Sequence, residues 1–427
     1  MLVRFAAAPE PMTQSALQPT PPFLIEAART RAGDDPIFAL NAMAQKRARA
    51  GEHVVNATLG ALMDDEGKLA VMKTVFEAFA AVDPQRAAGY APIAGEKGFL
   101  DAVVADLFAE RSLAKFAVAA ATPGGTGALH HAIVNFLEPG QALLAPEFYW
   151  GPYKTLADHT RRRVETFAMF DASRRFDCAA FERALEGQVR AQGRALVLLN
   201  TPCNNPTGYS LDGREWSDVS RIVRAAARRA PVALLVDHAY AKFGGPNSER
   251  WIEHASELAG DALLLVAWTA SKSFTQYGAR VGALVAVHPD EAERQRIANA
   301  LGYSCRGTWS NCNHAGQLAI GRLLADSELR ARADAERAGL RALLDQRVAA
   351  FNAAAGAAGI DYPRYEGGFF VSAFAPRPEV AAERMRERGV FVVPIAGALR
   401  IALCSTPARD VPKLVQALSE GLKAANP

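Results

Sequence analysis

Lys272 stands directly after the apolar run ALLLVAWTAS, among the small residues Thr269, Ala270, Ser271 and Ser273. A lysine held in a dry site or beside cations gives up its proton more readily and becomes a nucleophile. Arg280, eight residues on, is such a cation and can also hold an anion. Asp237 closes the apolar run VALLV, where a carboxylate is costly unless it meets a positive charge, and Tyr240 follows it. Residues 122–136, TPGGTGALHHAIVNF, put three glycines at a helix start, where free N–H groups and a partial positive charge can hold a phosphate, with the Thr126 hydroxyl beside them. Residues 200–211, NTPCNNPTGYSL, carry the Asn-Pro and Thr-Gly signals of a turn at a strand end. Taken singly, each has an ordinary reading: a snorkelling lysine, a helix-capping aspartate, a tight turn into a helix, a connecting turn.

The elements that must position these residues alternate. ALVLLN ends at Asn200, VALLVD at Asp237, and the run before Lys272 is followed by VGALVAV from Val281. Between the first two lies the amphipathic stretch SLDGREWSDVSRIVRAAARRA, a helix with Ser210 as its expected N-cap. Continuous apolar strands alternating with helices indicate an α/β fold with a mostly parallel, buried sheet. Asn205, Asp237 and Lys272 follow at intervals of 32 and 35 residues, each about one βαβ step, so all three can converge on one sheet edge, where such sheets bind ligands. Together the segments offer a lysine for a Schiff base, an acid for a pyridine nitrogen, donors for a ring oxygen and a phosphate cradle, which is the set that pyridoxal phosphate needs. The last hundred residues differ: a long helix from about 326 to 355, then short strands around 368–374, 391–393 and 399–403, form a separate α+β layer.

Bulk properties narrow the partners. The chain has 427 residues, 50% hydrophobic and 22% charged, with a formal net charge of +3 and no dense basic run, so no nucleic-acid partner is expected. Five widely spaced cysteines without a Cys-x-x-Cys pair favour a reducing compartment, and no metal is called for. Residues 1–22 lack a signal-peptide core and read as a disordered arm. The longest apolar run, near Leu263–Ala267, is far short of the ~20 residues that span a bilayer, so no membrane partner and a cytoplasmic location are expected.

From about residue 35 to the C-terminus the sequence resembles the fold-type I pyridoxal phosphate enzymes, specifically the aspartate and aromatic (class I) aminotransferases. The resemblance rests on eight segments in order: VNATLGALMDDEGKLAVMKTV (55–75), YAPIAGEKGF (90–99), GGTGAL (124–129), NNPTG (204–208), DHAY (237–240), SKSFTQYGARVGAL (271–284), RGTWSN (306–311) and LRIAL (399–403). It implies that Lys272 is the Schiff-base lysine and proton shuttle, that Asp237 partners the pyridinium nitrogen, and that Tyr240 and Asn205 donate to the ring oxygen. It further implies that Gly125, Thr126, Thr269 and Arg280 cradle the phosphate, with Tyr90 reaching it from the other subunit of a homodimer with shared active sites. By the same resemblance Arg400 grips the substrate α-carboxylate, Gly60 and Asn205 line the substrate site, and Arg306 binds a distal carboxylate from the neighbouring subunit.

Two departures stand out. By count the ring-stacking aromatic falls on Phe148, with Tyr149 and Trp150 as alternatives. A histidine that often supports the pyridinium acid falls near Gly151 and is absent, leaving His238 as a nearby substitute. The expected fold is a large domain over 66–325 with a seven-stranded, mostly parallel sheet, and a small α+β domain combining 23–65 with 326–427. The expected reaction is ping-pong amino transfer between amino and 2-oxo acids: aspartate or glutamate with 2-oxoglutarate, or an aromatic amino acid. A lyase or decarboxylase on the same fold, or a non-catalytic binding protein, are the alternatives.

Overall fold

The computed structural model describes residues 23–426 apart from 32, 34, 35, 110, 111, 246 and 247; the arm expected over 1–22 lies outside them. Seven strands build the main sheet: β1 (Ala117–Pro123), β2 (Ala142–Pro146), β3 (Arg163–Phe167), β4 (Ala195–Asn200), β5 (Val232–Asp237), β6 (Leu263–Thr269) and β7 (Val281–Val287). Their spatial order is β1-β7-β6-β5-β4-β2-β3. β3, β2, β4, β5 and β6 run parallel, while β7 pairs antiparallel with both β6 and β1. This is the α/β architecture expected.

Both faces of the sheet are buried, which is why its central strands read as unbroken apolar runs rather than alternating ones. Along β5 and β6 the pleat sends Leu234, Val236, Leu264 and Val266 into one core, and Ala233, Leu235, Leu265 and Ala267 into the other. Helices cover the two faces. Those that matter for the site are α1 (Gly124–Phe136), α2 (Pro152–His159), α3 (Glu291–Thr308) and α4 (Ser327–Ala357).

The helix between β4 and β5 spans Gly213–Ala227, and its N-cap is Asp212, not Ser210. The Asp212 carboxylate accepts from the Glu215 N–H at 2.9 Å, and the Glu215 carboxylate accepts from the Asp212 N–H at 2.8 Å. That reciprocal capping box satisfies two helix-end donors at once, whereas the Ser210 hydroxyl is taken by the Cys203 N–H. The long C-terminal helix α4 is capped by Asp326.

A third core gathers the N- and C-terminal parts: Val55 and Leu62 pack with Leu344, Phe351, Phe370, Leu399 and Leu418. Its antiparallel sheet holds β8 (Phe370–Phe374), β9 (Val393–Ile395) and β10 (Ala398–Ala402), with β10 central. Val55–Asn56 pairs parallel with Val390–Phe391, and the Ala402 N–H donates to the Ala57 carbonyl. These bonds bring residues 56–60 alongside β10, where Arg400 sits.

Candidate active site

Register aligns the C-terminal ends of three parallel strands. Asn200 on β4 pairs with Asp237 on β5, which pairs with Ala267 on β6. The Asn200 side chain staples the following loop to this edge: its amide donates to the Asp237 carbonyl at 2.9 Å, and its oxygen accepts from the Asn205 N–H at 2.6 Å. Asn205 therefore faces Tyr240, with its amide 3.3 Å from the phenol oxygen. Gly208 turns the loop at φ +73°, and a Cβ there would lie 2.2 Å from the Phe370 carbonyl.

Lys272 sits on a single helical turn, Ala270–Ser273, whose first free N–H, that of Ser271, is capped by the Thr269 hydroxyl. Its Nζ lies 5.7 Å from the ring centre of Tyr240 and 5.0 Å from that of Tyr277. Burial lowers the ammonium pKa to about 8; the Arg280 cation adds to this and Asp237 opposes it. Asp237 is buried, and burial pushes its carboxyl up, against hydrogen bonds from Tyr153 and the Ala239 N–H and against the Lys272 charge. The Tyr153 phenol donates to Asp237 Oδ2 at 2.6 Å, and the Ala239 N–H donates to Oδ1 at 3.2 Å.

Lys272 and Asp237 share a cavity of about 150 Å³ with Gly125, Thr126, Asn205, Tyr240, Thr269 and Arg280. Of these, Gly125 and Thr126 lie in the first turn of α1. Arg280 approaches that helix start so closely that a Cβ on Gly124 would lie 2.5 Å from its Nη2. The guanidinium donates to the Tyr277 and Pro123 carbonyls at 3.0 and 3.1 Å. A cation, a hydroxyl, a helix N-terminus, a buried carboxylate and an amine thus line one cavity. That donor set fits the phosphate, ring nitrogen and aldehyde of pyridoxal phosphate.

A second cavity of about 590 Å³ reaches Trp150, Asn205 and Arg400. Arg400 is buried on β10, donates to the Thr58 carbonyl at 2.6 Å and lies 4.7 Å from the Phe370 ring centre. Gly60 stands beside the same ring, since a Cβ there would come within 2.5 Å of Phe370.

The stacking aromatic needs correction. Trp150 lines both cavities, whereas Phe148 lines only the second. The Phe148 ring packs against Phe170 and Phe374 at 5.9 and 5.8 Å. The turn from β2 into α2 aims 148 and 150 differently, which counting along the chain does not reveal. His238 does not support Asp237: its Nε2 lies 3.2 Å from the Trp251 indole nitrogen. Tyr90 and Arg306 line neither cavity of their own chain. Tyr90 is 91% exposed, and Arg306, near the end of α3, is exposed and donates to Ser310 Oγ at 2.6 Å. Sequence reading missed Tyr153, Tyr277 and Asn200. Of these only Asn200 carried a signal, as a polar residue closing an apolar strand.

Comparison with known proteins gives a family-model match, "Aminotransferase class I and II", over residues 52–418. A tyrosine aminotransferase of Klebsiella pneumoniae is 28% identical over 381 residues, covering 86% of this chain and 93% of its own. An aminotransferase structure from Anaerococcus prevotii superposes with a TM-score of 0.90 at 32% identity, over 94% of this chain and 99% of that one. The aromatic-amino-acid aminotransferase of Burkholderia pseudomallei, covalently bound to pyridoxal phosphate, gives a TM-score of 0.79 at 26% identity, over 92% and 98%.

Proposed function

The chain belongs to the class I and II aminotransferases and is a pyridoxal phosphate-dependent transaminase; from that premise we propose that it moves an amino group between glutamate/2-oxoglutarate and either aspartate or an aromatic amino acid, by a ping-pong mechanism. The observation that carries this reading is Lys272, an amine with a pKa of about 8, in the same cavity as the buried carboxylate Asp237. When bound, pyridoxal phosphate supplies a carbonyl for the amino group and an electron sink for the pair left by the broken Cα–H bond.

The chain's residues do the rest. Gly125, Thr126, Thr269 and Arg280 hold the phosphate, Asp237 keeps the ring nitrogen protonated, and Asn205 and Tyr240 donate to the ring oxygen. Trp150 covers the ring. Arg400 binds the substrate α-carboxylate through its planar fork, with Gly60 and Asn205 beside it. Lys272 Nζ, whose pKa burial lowers to about 8, takes the Cα proton and returns it.

The second cavity favours a bulky apolar side chain on one substrate, because Ile37, Phe148, Trp150, Val393 and Ile395 line it with Arg400. We assign the distal carboxylate of a dicarboxylic substrate to Arg306 of a second protomer, and the outer phosphate contact to that protomer's Tyr90. The homodimer this requires is supported by the exposure of Tyr90 and Tyr303, 91% and 85%. The core built mostly from the terminal parts, joined by Cys203, Tyr240 and Phe243, supports a small domain of 23–65 with 326–427 against a large one of 66–325. Five free cysteines favour a cytoplasmic site of action.

A glutamate half-reaction tests the activity. The holoprotein should form 2-oxoglutarate stoichiometrically with the aminated cofactor, and a panel of aspartate, phenylalanine and tyrosine should then identify the second donor. Release of ammonia or carbon dioxide instead, or no transfer to any oxo acid, would refute the reading.

A further inference from the structure

Asp237 has an unexpected partner. Tyr153 enters the core at the start of α2, just after Gly151 and Pro152, and is completely buried. Its phenol points at Asp237 Oδ2 at 2.6 Å, while Oδ1 receives only the longer bond from the Ala239 N–H, 3.2 Å. A carboxylate in so dry a place is stable as an anion only if donors compensate for the lost water. The phenol is the closer of the two. It stays protonated, because burial and the neighbouring Asp237 hold its pKa well above the ordinary value.

The ring of Tyr153 is itself clamped. Tyr149 stacks on it at 6.2 Å with an interplanar angle of 11°, and Trp150 meets it edge-on at 5.5 Å and 85°. Trp150 also lines the Lys272 cavity. One side chain thus touches both the acid and the aromatic wall of that cavity. His238, next to Asp237 in sequence, is turned away to Trp251.

We propose that Tyr153 is the positioning residue of Asp237: its hydroxyl keeps the carboxylate charged and aimed at the ring nitrogen of the cofactor. This rests on the assignment of Asp237 in the proposed function. It predicts that loss of one oxygen atom, Tyr153→Phe, weakens cofactor binding specifically through the ring nitrogen.

The test compares affinities of the cofactor-stripped protein for pyridoxal phosphate and for its 1-deaza analogue, in which C–H replaces the ring nitrogen. Tyr153→Phe should lower the affinity for pyridoxal phosphate about tenfold to a hundredfold, the usual range for a hydrogen bond to a charged group. The loss for the deaza analogue should be at least about tenfold smaller on the same scale. In the holoprotein kcat should fall, while KM for the amino donor stays within about threefold, because the hydroxyl touches no substrate-binding group. Tyr153→His, which restores a donor on a smaller ring, should recover part of both losses.

Tyr365→Phe is the control. Tyr365 is also buried and donates to the Gly368 carbonyl at 2.8 Å, outside the Lys272 cavity, so its loss should move stability and neither affinity. Equal losses for the two cofactors in Tyr153→Phe, or no loss for pyridoxal phosphate, would overturn the proposal. So would failure of both Tyr153 variants to fold, which would make the residue structural. A wild-type protein that takes up neither compound would instead sink the cofactor reading itself.

Discussion

In the cofactor-free protein Lys272 should behave as a neutral amine at an unusually low pH. Its ammonium titrates at about 8 rather than the ordinary 10.5, because burial strips its hydration and Arg280 repels it. At pH 7.5 roughly a quarter of the molecules would carry neutral Lys272, against about one in a thousand for an ordinary lysine, a gain of more than a hundredfold in nucleophile. The assay is capture of pyridoxal, which lacks the phosphate, trapped by borohydride and mapped to Lys272, with the rate followed against pH. The midpoint should fall near 8. Two substitutions should move it in opposite directions: Arg280→Ala upward by removing a cation, and Asp237→Asn downward by removing an anion.

Stability must obey the same shift. Between about pH 8 and 10.5 the folded protein binds fewer protons at this site than the unfolded chain, so this group makes the fold more stable as pH rises through that window. Below it the whole penalty applies, about 3 kcal/mol for a shift of this size. A capture midpoint near 10, or the same direction of movement in both variants, would refute the reasoning.

Arg400→Lys should raise KM for amino donors about tenfold to a hundredfold by losing the bidentate fork, with pyridoxal phosphate affinity unchanged in equilibrium dialysis. Gly124→Ala forces a Cβ against the Arg280 guanidinium, so it should weaken binding of pyridoxal phosphate about tenfold but leave pyridoxal binding unaltered. Gly208→Ala must place a Cβ on the Phe370 carbonyl at positive φ, and calorimetry should show a loss of about 3 kcal/mol or more; a change under about 0.5 kcal/mol would contradict the packing. Arg306→Ala should cut kcat/KM for aspartate and glutamate about a hundredfold and spare phenylalanine, and mixing it with an inactive Lys272→Ala protein should restore dicarboxylate turnover if the arginine is supplied across a dimer.

Much of the site was legible along the chain. Asp237 and Lys272 follow unbroken apolar strands, and parallel strands must deliver their C-terminal ends to one edge, so spacing alone brought them together. The helix-start glycines and Arg280 were legible for a similar reason, since backbone turns and charges have local signatures. The cap at Asp212 was misplaced by two residues because several polar side chains there compete for the same N–H groups.

Sequence by itself determined the fold class and the cofactor, and it brought Lys272 and Asp237 to one cavity, because these depend on strand periodicity and on chemistry that few residue types supply. It did not determine which aromatic faces the cavity or what holds Asp237. Trp150 and Tyr153 are separated from Asp237 by more than eighty residues, and neither carries a pattern that announces an inward direction. Only the packing of α2 against the sheet edge aims the Tyr153 hydroxyl at Asp237 and turns Phe148 toward Phe170 and Phe374. Side-chain direction after a turn is set by which neighbours leave room for it, and those neighbours come from everywhere else in the chain.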